Sequence, residues 1–313
     1  MNLEQYLKKY NYSPELCDLI QVFTDQIKII KQEFLGGDEK TGVYNVYGEE
    51  EIKLDKKTND IFLKACRDSK LVRTAGSEEE SEVIKMESEK GHFGITLDPL
   101  DGSSLIPTNL AVGTIVSFYE NGDIMSGLKH ISQAFYFLFG PLTLMVFADK
   151  NGLAQFIYNE NKAFDLPNDS ERGRRSLSSL DLVKENIRMP EGILYSPGGL
   201  RRKWTAEHSN YIAYLEKQGY KLRYSGSFVP DFHQILTYGG IFSYPCLIDK
   251  PEGKLRLLFE VGPMAFIADK AGGAAIDGSQ PILDMVPQKV NHRTPVYIGS
   301  KKVVEKTKQI LNK

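Results

Sequence analysis

From Pro14 onward, apolar residues recur at helical spacing: Leu16, Leu19, Ile20, Phe23, Ile27, Ile30 and Phe34 share one face. Ser13-Pro14 supplies a cap and a first-turn proline, so the pattern predicts one long amphipathic helix ending at Gly36-Gly37. Residues 38–51 are polar and glycine-containing and read as a mobile loop, in which Tyr44 and Tyr47 either pack or cover a ligand. A second helix follows through Ile61, Phe62, Leu63, Ala65 and Cys66, with Asp55 and Asp60 near its start, where acids favour the macrodipole. Leu71-Val72-Arg73 reads as a short strand. Ile95-Thr96-Leu97 reads as a buried strand that should end at Asp98, because Pro99 cannot donate to a ladder. Residues 112–118 form a core strand, with a hairpin turn at 120–123, and further strands lie over 142–148 and 153–158. Residues 159–190 read as a long polar connection carrying Arg172, Arg174 and Arg175 as a surface loop. The chain therefore divides into an N-terminal α/β half, 1–190, and a C-terminal α/β half, 191–313. The second half alternates a strand near 192–196, a helix over 204–217, a strand and tight turn over 222–227 and a helix with Pro230 in its first turn. A strand at 241–245, a strand at 296–298 and a helix over 302–311 complete it.

Composition removes several classes of partner. The 313 residues carry a net charge of −2, which gives no basic footprint for nucleic acid or an acidic membrane surface. No apolar run reaches the length of a membrane span, and residues 1–9 lack the layout of a signal peptide, so a soluble cytoplasmic protein is expected. Cys17, Cys66 and Cys246 are odd in number and widely spaced, which suits buried thiols better than zinc or redox chemistry.

The chemistry concentrates in Asp98-Pro99-Leu100-Asp101-Gly102-Ser103-Ser104. Two carboxylates across a proline-stiffened turn can share a hard cation, with the Leu100 carbonyl as a third oxygen, which suits magnesium or manganese. The amides of Gly102, Ser103 and Ser104 can form an anion-binding concavity beside it. A plain surface turn accounts for Asp-Pro-x-Asp-Gly equally well on its own. The balance moves with Glu78 and Glu79, two acids of a cluster that a folded chain tolerates inside only if cations neutralise it. Glu260, inside the apolar run Leu257, Leu258, Phe259, Met264, Phe266 and Ile267, also needs a partner. A metal and a salt bridge to Lys254 or Arg256 serve equally.

Taken together, Ser77-Glu78-Glu79, Asp98-Pro99-Leu100-Asp101-Gly102-Ser103-Ser104, Gly239-Gly240-Ile241-Phe242-Ser243-Tyr244-Pro245 and Lys254-Leu255-Arg256-Leu257-Leu258-Phe259-Glu260 resemble the class I fructose-1,6-bisphosphatases, from about Lys53 onward. Asp-Pro-Leu-Asp-Gly alone also fits the inositol monophosphatases; the last two motifs are more specific to the sugar bisphosphatases. The resemblance implies a layered α-β-α-β-α fold with two mixed sheets and interleaved helices. It also implies hydrolysis of the 1-phosphate of fructose 1,6-bisphosphate, two or three Mg2+ per subunit with Mn2+ as a substitute, and a homotetramer. It assigns Asp98, Asp101 and Glu260 to one metal, Glu78, Asp98 and the Leu100 carbonyl to a second, and Asp55 and Glu78 to a third. Asp60 and Glu79 match the pair that helps deprotonate the attacking water, with Asp98 beside them in catalysis. Gly102, Ser103 and Ser104, with Asp101, match the cradle of the leaving phosphate. Arg223, Tyr224, Tyr244 and Lys254, with Gly226 and Ser227, match the substrate and distal-phosphate contacts, the arginine crossing from a neighbouring subunit. The loop 38–51 corresponds to one that closes over the site.

Departures qualify this picture. Tyr195-Ser196-Pro197-Gly198-Gly199-Leu200-Arg201, Tyr220-Lys221-Leu222-Arg223-Tyr224, Val229-Pro230-Asp231 and Phe259-Glu260-Val261 are more similar to sedoheptulose-1,7-bisphosphatase, so a seven-carbon or dual specificity is an alternative. A catalytically silent sugar-phosphate sensor is a second. The N-terminal helix lacks a Thr-Gly-rich start and His92-Phe93 replaces Lys-Tyr, which implies weak or absent AMP inhibition; the spaced cysteine pair of thiol-regulated relatives is missing.

Overall fold

The computed structural model describes residues 1–36, 40–44, 50–88, 91–164 and 175–312. Helices α1 (Leu3–Lys9), α2 (Pro14–Thr24) and α3 (Gln26–Glu33) precede a small hairpin of β1 (Lys40–Tyr44) and β2 (Glu50–Ile52), then α4 (Lys53–Ser69). Next come β3 (Val72–Ser77), β4 (Ile84–Lys85), β5 (Phe93–Asp101), β6 (Val112–Tyr119), β7 (Gln133–Phe139), β8 (Thr143–Asp149) and β9 (Gly152–Tyr158). Short helices α5 (Glu160–Phe164) and α6 (Arg175–Ser178) lead to β10 (Leu180–Glu185). The remainder runs β11 (Leu194–Pro197), α7 (Ala206–Lys217), β12 (Lys221–Leu222), α8 (Phe228–Tyr238) and β13 (Gly240–Tyr244). It ends with α9 (Gly262–Lys270), β14 (Ala274–Ile276), β15 (Val296–Gly299) and α10 (Lys301–Leu311).

An eight-stranded sheet has the order β10-β9-β8-β7-β6-β5-β3-β4, and a five-stranded sheet the order β12-β11-β13-β15-β14. Both are mixed: β3 and β5 are parallel within an otherwise antiparallel sheet, and β11 runs parallel to β12 and β13. Side chains alternate along β6, so Val116 and Phe118 pack with Leu3, Phe23 and Phe62 of α1, α2 and α4, while Ile115 and Tyr119 face the other way. That second face meets Phe232 and Ile235 of α8 and Met264 and Ile267 of α9, which also cover Phe242 and Ile298 of the smaller sheet. Tyr211 and Leu215 of α7 and Val304 of α10 close its outer side over Tyr195, Ile241 and Tyr297. The result is the expected α-β-α-β-α layering, with the central strands of both sheets buried on both faces.

Several elements differ from expectation. The long N-terminal helix is two, α2 and α3, meeting at Asp25, where the Thr24 hydroxyl donates to the Gln21 carbonyl at 3.2 Å and the Gln26 amide to the Val22 carbonyl at 2.9 Å. These side chains compete with the backbone ladder at the junction. α1, unforeseen, begins with a capping box between Asn2 and Gln5. Strand β7, which the apolar pattern does not mark, pairs with β6, so residues 120–123 open a longer connection instead of a tight hairpin. The segment 159–190 holds α5, α6 and β10 instead of one loop. Strand β5 does not stop at Asp98: it continues through Pro99 to Asp101 with a bulge against β6, a position where proline's missing donor costs nothing. Cys17 and Cys66 are buried thiols and Cys246 is partly buried. Among the described residues no helix is long and apolar enough to cross a membrane. Tyr47, Arg172 and Arg174, and much of the loop 38–51, lie outside the described residues.

The layers approach closely where β6 meets α8. A Cβ built on Gly113 would lie 2.5–2.6 Å from the Val229 side chain, whose branched Cβ leaves little freedom to yield. Gly113→Ala should therefore destabilise the protein by ~1–3 kcal/mol through overpacking. Urea unfolding should show a lower midpoint with an unchanged slope.

Candidate active site

Because β3 and β5 are parallel neighbours, their carboxyl ends reach the same sheet edge, the usual place for a ligand crevice. β3 ends on Ser77, and the turn after it presents Glu78 and Glu79, with the Glu78 amide donating to the Leu97 carbonyl of β5 at 3.0 Å. β5 delivers Asp98, only 2% exposed. The third acid comes from far along the chain: Leu257–Val261 forms a π-helical turn ahead of α9, and Glu260 sits in it. One carboxylate oxygen each from Glu78, Asp98 and Glu260 lie within 4.8 Å of one another.

A buried arginine answers part of this charge. The Arg256 guanidinium pairs closely with Glu78 and lies 3.9 Å from Glu260, whose carboxylate also accepts the Arg256 backbone amide at 2.6 Å. Of the two partners weighed for Glu260 from sequence, an ion and a basic side chain, the structure shows the arginine at longer range and its backbone at short range. Three carboxylates against one guanidinium leave an excess of negative charge in a desolvated space. Burial first, and the Glu78 charge second, push the Glu260 carboxyl up to about 8, against the pull of Arg256. Burial, then Glu78, Asp101 and Glu260, push Asp98 far above the usual carboxylate range. A divalent cation suits the donor set: three carboxylate oxygens within 4.8 Å of one another are hard ligands at a spacing that oxygens around one cation at ~2.0–2.6 Å span.

Asp101 behaves differently. Its carboxylate accepts the Ser227 hydroxyl at 2.6 Å and the Phe228 and Val229 amides at 3.1 and 2.6 Å, so it caps the start of α8. It lines the cleft but stands outside the three-acid group. Gly102 follows with φ +83° and opens the 3-10 turn Ser103–Thr108. A side chain there would meet Ser227 Cβ at 2.4 Å, so both conformation and space demand glycine. From α4, Asp55 accepts the Ser103 hydroxyl at 2.9 Å. Asn59, buried one turn on, accepts the Ser77 hydroxyl at 2.7 Å and donates to Glu80 at 3.0 Å, tying α4 to the acidic turn.

The cleft encloses about 400 Å³ and continues from the acids to Tyr224, Tyr244 and Lys254. Lys254 Nζ stands 5.8 Å from the Tyr244 ring centre. Gly226 and Ser227 shape the wall between, and Asp55, Glu79, Leu100, Ser103 and Ser104 complete the acidic end. Two sequence candidates stand apart: Asp60 faces outward on α4 and Arg223 is exposed beyond β12, and neither lines the cleft. The sequence offers Arg256 only as a salt-bridge alternative for Glu260 and does not point to its pairing with Glu78, nor to Asn59. For Asn59 the only signal was its place beside Asp60 on the helix that carries Asp55.

Fold and cleft together are those of the layered sugar phosphatases. Residues 1–166 match the family described as "Fructose-1-6-bisphosphatase, N-terminal domain" and residues 189–312 its C-terminal domain. Fructose-1,6-bisphosphatase class 1 of Methanospirillum hungatei JF-1 is 40% identical over 308 residues, 98% of this chain and 94% of that protein. The Pelobacter propionicus enzyme of the same name is 42% identical over 316 residues, 100% of this chain and 93% of that protein. The crystal structure of Leishmania major fructose-1,6-bisphosphatase in holo form superposes with a TM-score of 0.90 at 30% identity, covering 100% of this chain and 99% of that one. The chain belongs to the class I fructose-1,6-bisphosphatase family.

The raised carboxyls fix a pH dependence. A carboxyl protonated more firmly in the folded than in the unfolded chain favours folding at low pH, and that advantage is lost as pH rises through the folded value. Metal-free protein should therefore lose thermal stability between about pH 5 and about 8, the range bounded by an ordinary carboxyl and by Glu260. Millimolar Mg2+ should restore it; a melting temperature independent of both pH and Mg2+ would contradict the electrostatic account.

Proposed function

We propose that this chain hydrolyses the 1-phosphate ester of fructose 1,6-bisphosphate, releasing fructose 6-phosphate and inorganic phosphate. The observation that carries the reading is one cleft that joins three convergent carboxylates and a glycine-serine turn to a tyrosine-lysine pocket, in a chain of this family. Magnesium is the proposed cofactor, with manganese as a substitute, at two or three ions per subunit. Asp98, Asp101 and Glu260 are proposed ligands of one ion, Glu78, Asp98 and the Leu100 carbonyl of another, and Asp55 and Glu78 of a third. Bound there, divalent ions supply charge neutralisation and a lowered pKa for bound water.

The side chains and amides of the protein perform the positioning. The amides of Gly102, Ser103 and Ser104 orient the phosphoryl oxygens. Glu79, in the cleft wall, receives the proton of the attacking water, with Asp60 as its proposed partner from an exposed place on α4. Tyr224, Tyr244 and Lys254 hold the second phosphate, with Gly226 and Ser227 as the wall beside it. Arg223, exposed past β12, is proposed to reach the cleft of a neighbouring subunit in a homotetramer. In this reading residues 1–190 carry most of the acids and residues 191–313 the recognition of the distal phosphate, and the enzyme works in the cytoplasm.

A seven-carbon or dual specificity is favoured by one feature. Gly198 lies directly under the Tyr244 ring, where a Cβ would come within 2.2 Å, and Gly199 follows with φ +82°. Tyr244 thus packs on two glycines of Tyr195–Arg201, the segment that is more similar to sedoheptulose-1,7-bisphosphatase, and this difference behind a distal-pocket residue is what supports the longer sugar.

Phosphate release should occur from fructose 1,6-bisphosphate in Mg2+ or Mn2+ and cease in chelator, and a parallel assay on sedoheptulose 1,7-bisphosphate reads the length preference. Asp98→Asn should lower kcat by ~10²–10³-fold or more, the size associated with losing a central electrostatic stabiliser. Full turnover in chelator, or by Asp98→Asn, would overturn the assignment.

A further inference from the structure

Asp231 lies in the first turn of α8, is wholly buried, and lines no part of the cleft. Its two carboxylate oxygens accept the Ser225 amide at 2.8 and 3.0 Å, and one of them also accepts the Gly226 amide at 3.4 Å. Gly226 is at φ +103°, so the carboxylate grips a turn that only glycine enters readily. The Ser225 side chain adds a further hydrogen bond to this carboxylate, and a buried charge is costly unless its donors are fixed in place, so it fixes them in return.

The turn joins the two ends of the cleft. On one side Ser227 is pinned independently, because its hydroxyl donates to Asp101 and the next two amides do the same. On the other side Arg223 is pinned at its backbone, its amide to the Tyr195 carbonyl at 2.9 Å and its carbonyl to the Ser196 hydroxyl. Between these anchors lies Tyr224, a wall of the distal pocket, and the turn that places it is the one Asp231 holds. Resting on the proposed function, we infer that Asp231 is a positioning residue that sets the span between the distal-phosphate pocket and the acidic centre. It touches no substrate. Its role is to keep Tyr224 at a fixed distance from Asp98 and its partners, so that a substrate with two phosphates fits both ends at once.

Asp231→Asn keeps the shape but turns an amide group toward the donors, so the turn loosens while Ser227 stays pinned. In the full-length protein with Mg2+, calorimetric titration should show fructose 6-phosphate binding weakened by ~10–100-fold, the range for losing a charged hydrogen bond. Inorganic phosphate should bind within about twofold of wild type, because the Gly102–Ser104 turn is untouched. In turnover assays KM for fructose 1,6-bisphosphate should rise in the same proportion with kcat nearly unchanged. A merely structural role would lower the melting temperature without separating the two ligands, and equal loss for both, or no loss, overturns the inference. Should Asp231→Asn not fold, Asp231→Glu, which keeps the charge but displaces its oxygens from the Ser225 and Gly226 amides, must show the same separation. Wild-type protein that binds fructose 6-phosphate but releases no phosphate from the bisphosphate would refute the proposed function alone.

Discussion

Negative charge confined without water is the constraint from which the site takes its form. Glu78, Asp98 and Glu260 come from a turn after β3, from β5 and from a π turn before α9, and their oxygens crowd within 4.8 Å. Such a group persists only if each charge is answered or removed. Arg256 answers part of it, and its placement is local: the same π turn that aims Glu260 inward brings the Arg256 amide onto that carboxylate and leaves its guanidinium to reach Glu78. Protonation answers more of it, which is why burial lifts Asp98 and Glu260 so far. Both answers are provisional, and a divalent ion replaces the need for either.

A fourth acid beside this group, Asp101, ties the large sheet to α8. Asp101 belongs to β5, yet its three hydrogen bonds run to Ser227, Phe228 and Val229, so a carboxylate of the large sheet caps α8. Gly102 meets Ser227 and Gly113 meets Val229 at distances that admit no side chain. Helix α8 therefore cannot shift against β5 and β6 without disturbing the acidic end of the cleft, and the distal pocket is carried by the segment that enters α8. The geometry of the cleft and the packing of the sheets are set by one interface.

Sequence periodicity carried the amphipathic elements well and the doubly buried ones poorly. α4, α8 and α10 show one-sided stripes and lie close to where spacing put them. β7, whose seven residues are all buried, has no polar alternation to mark it, and short apolar runs of that kind do not separate strand from helix. At the site, residue types named the chemistry: acids, glycine and serine at Asp98–Ser104, with Glu78 and Glu260 arriving from a distance. Partners were not legible, because Arg256 could have reached any of several acids and Asn59 had no charge to draw attention. Asp60 and Asn59 are adjacent, yet the helix turns Asn59 inward and Asp60 outward, a 100° difference that rests on where α4 meets β3.

The bulge in β5 shows how a small irregularity decides the chemistry. In a regular strand residues three apart point to opposite faces, so Asp98 and Asp101 would be divided between the α4 side and the α8 side of the sheet. Here Asp98 pairs with Ile115 and Asp101 with Gly113, so β5 spends three residues where β6 spends two. Because Ile115 and Gly113 share one face of β6, the extra residue puts both acids on the side of α8 and the π turn. Pro99 sits in the irregular stretch, its carbonyl accepting the Thr114 hydroxyl at 2.8 Å, while the Asp98 carboxylate takes the Leu100 amide at 3.1 Å. A proline that the strand rule reads as a terminator is here the residue that lets the strand continue out of register, and without that slip the two carboxylates could not serve one cleft.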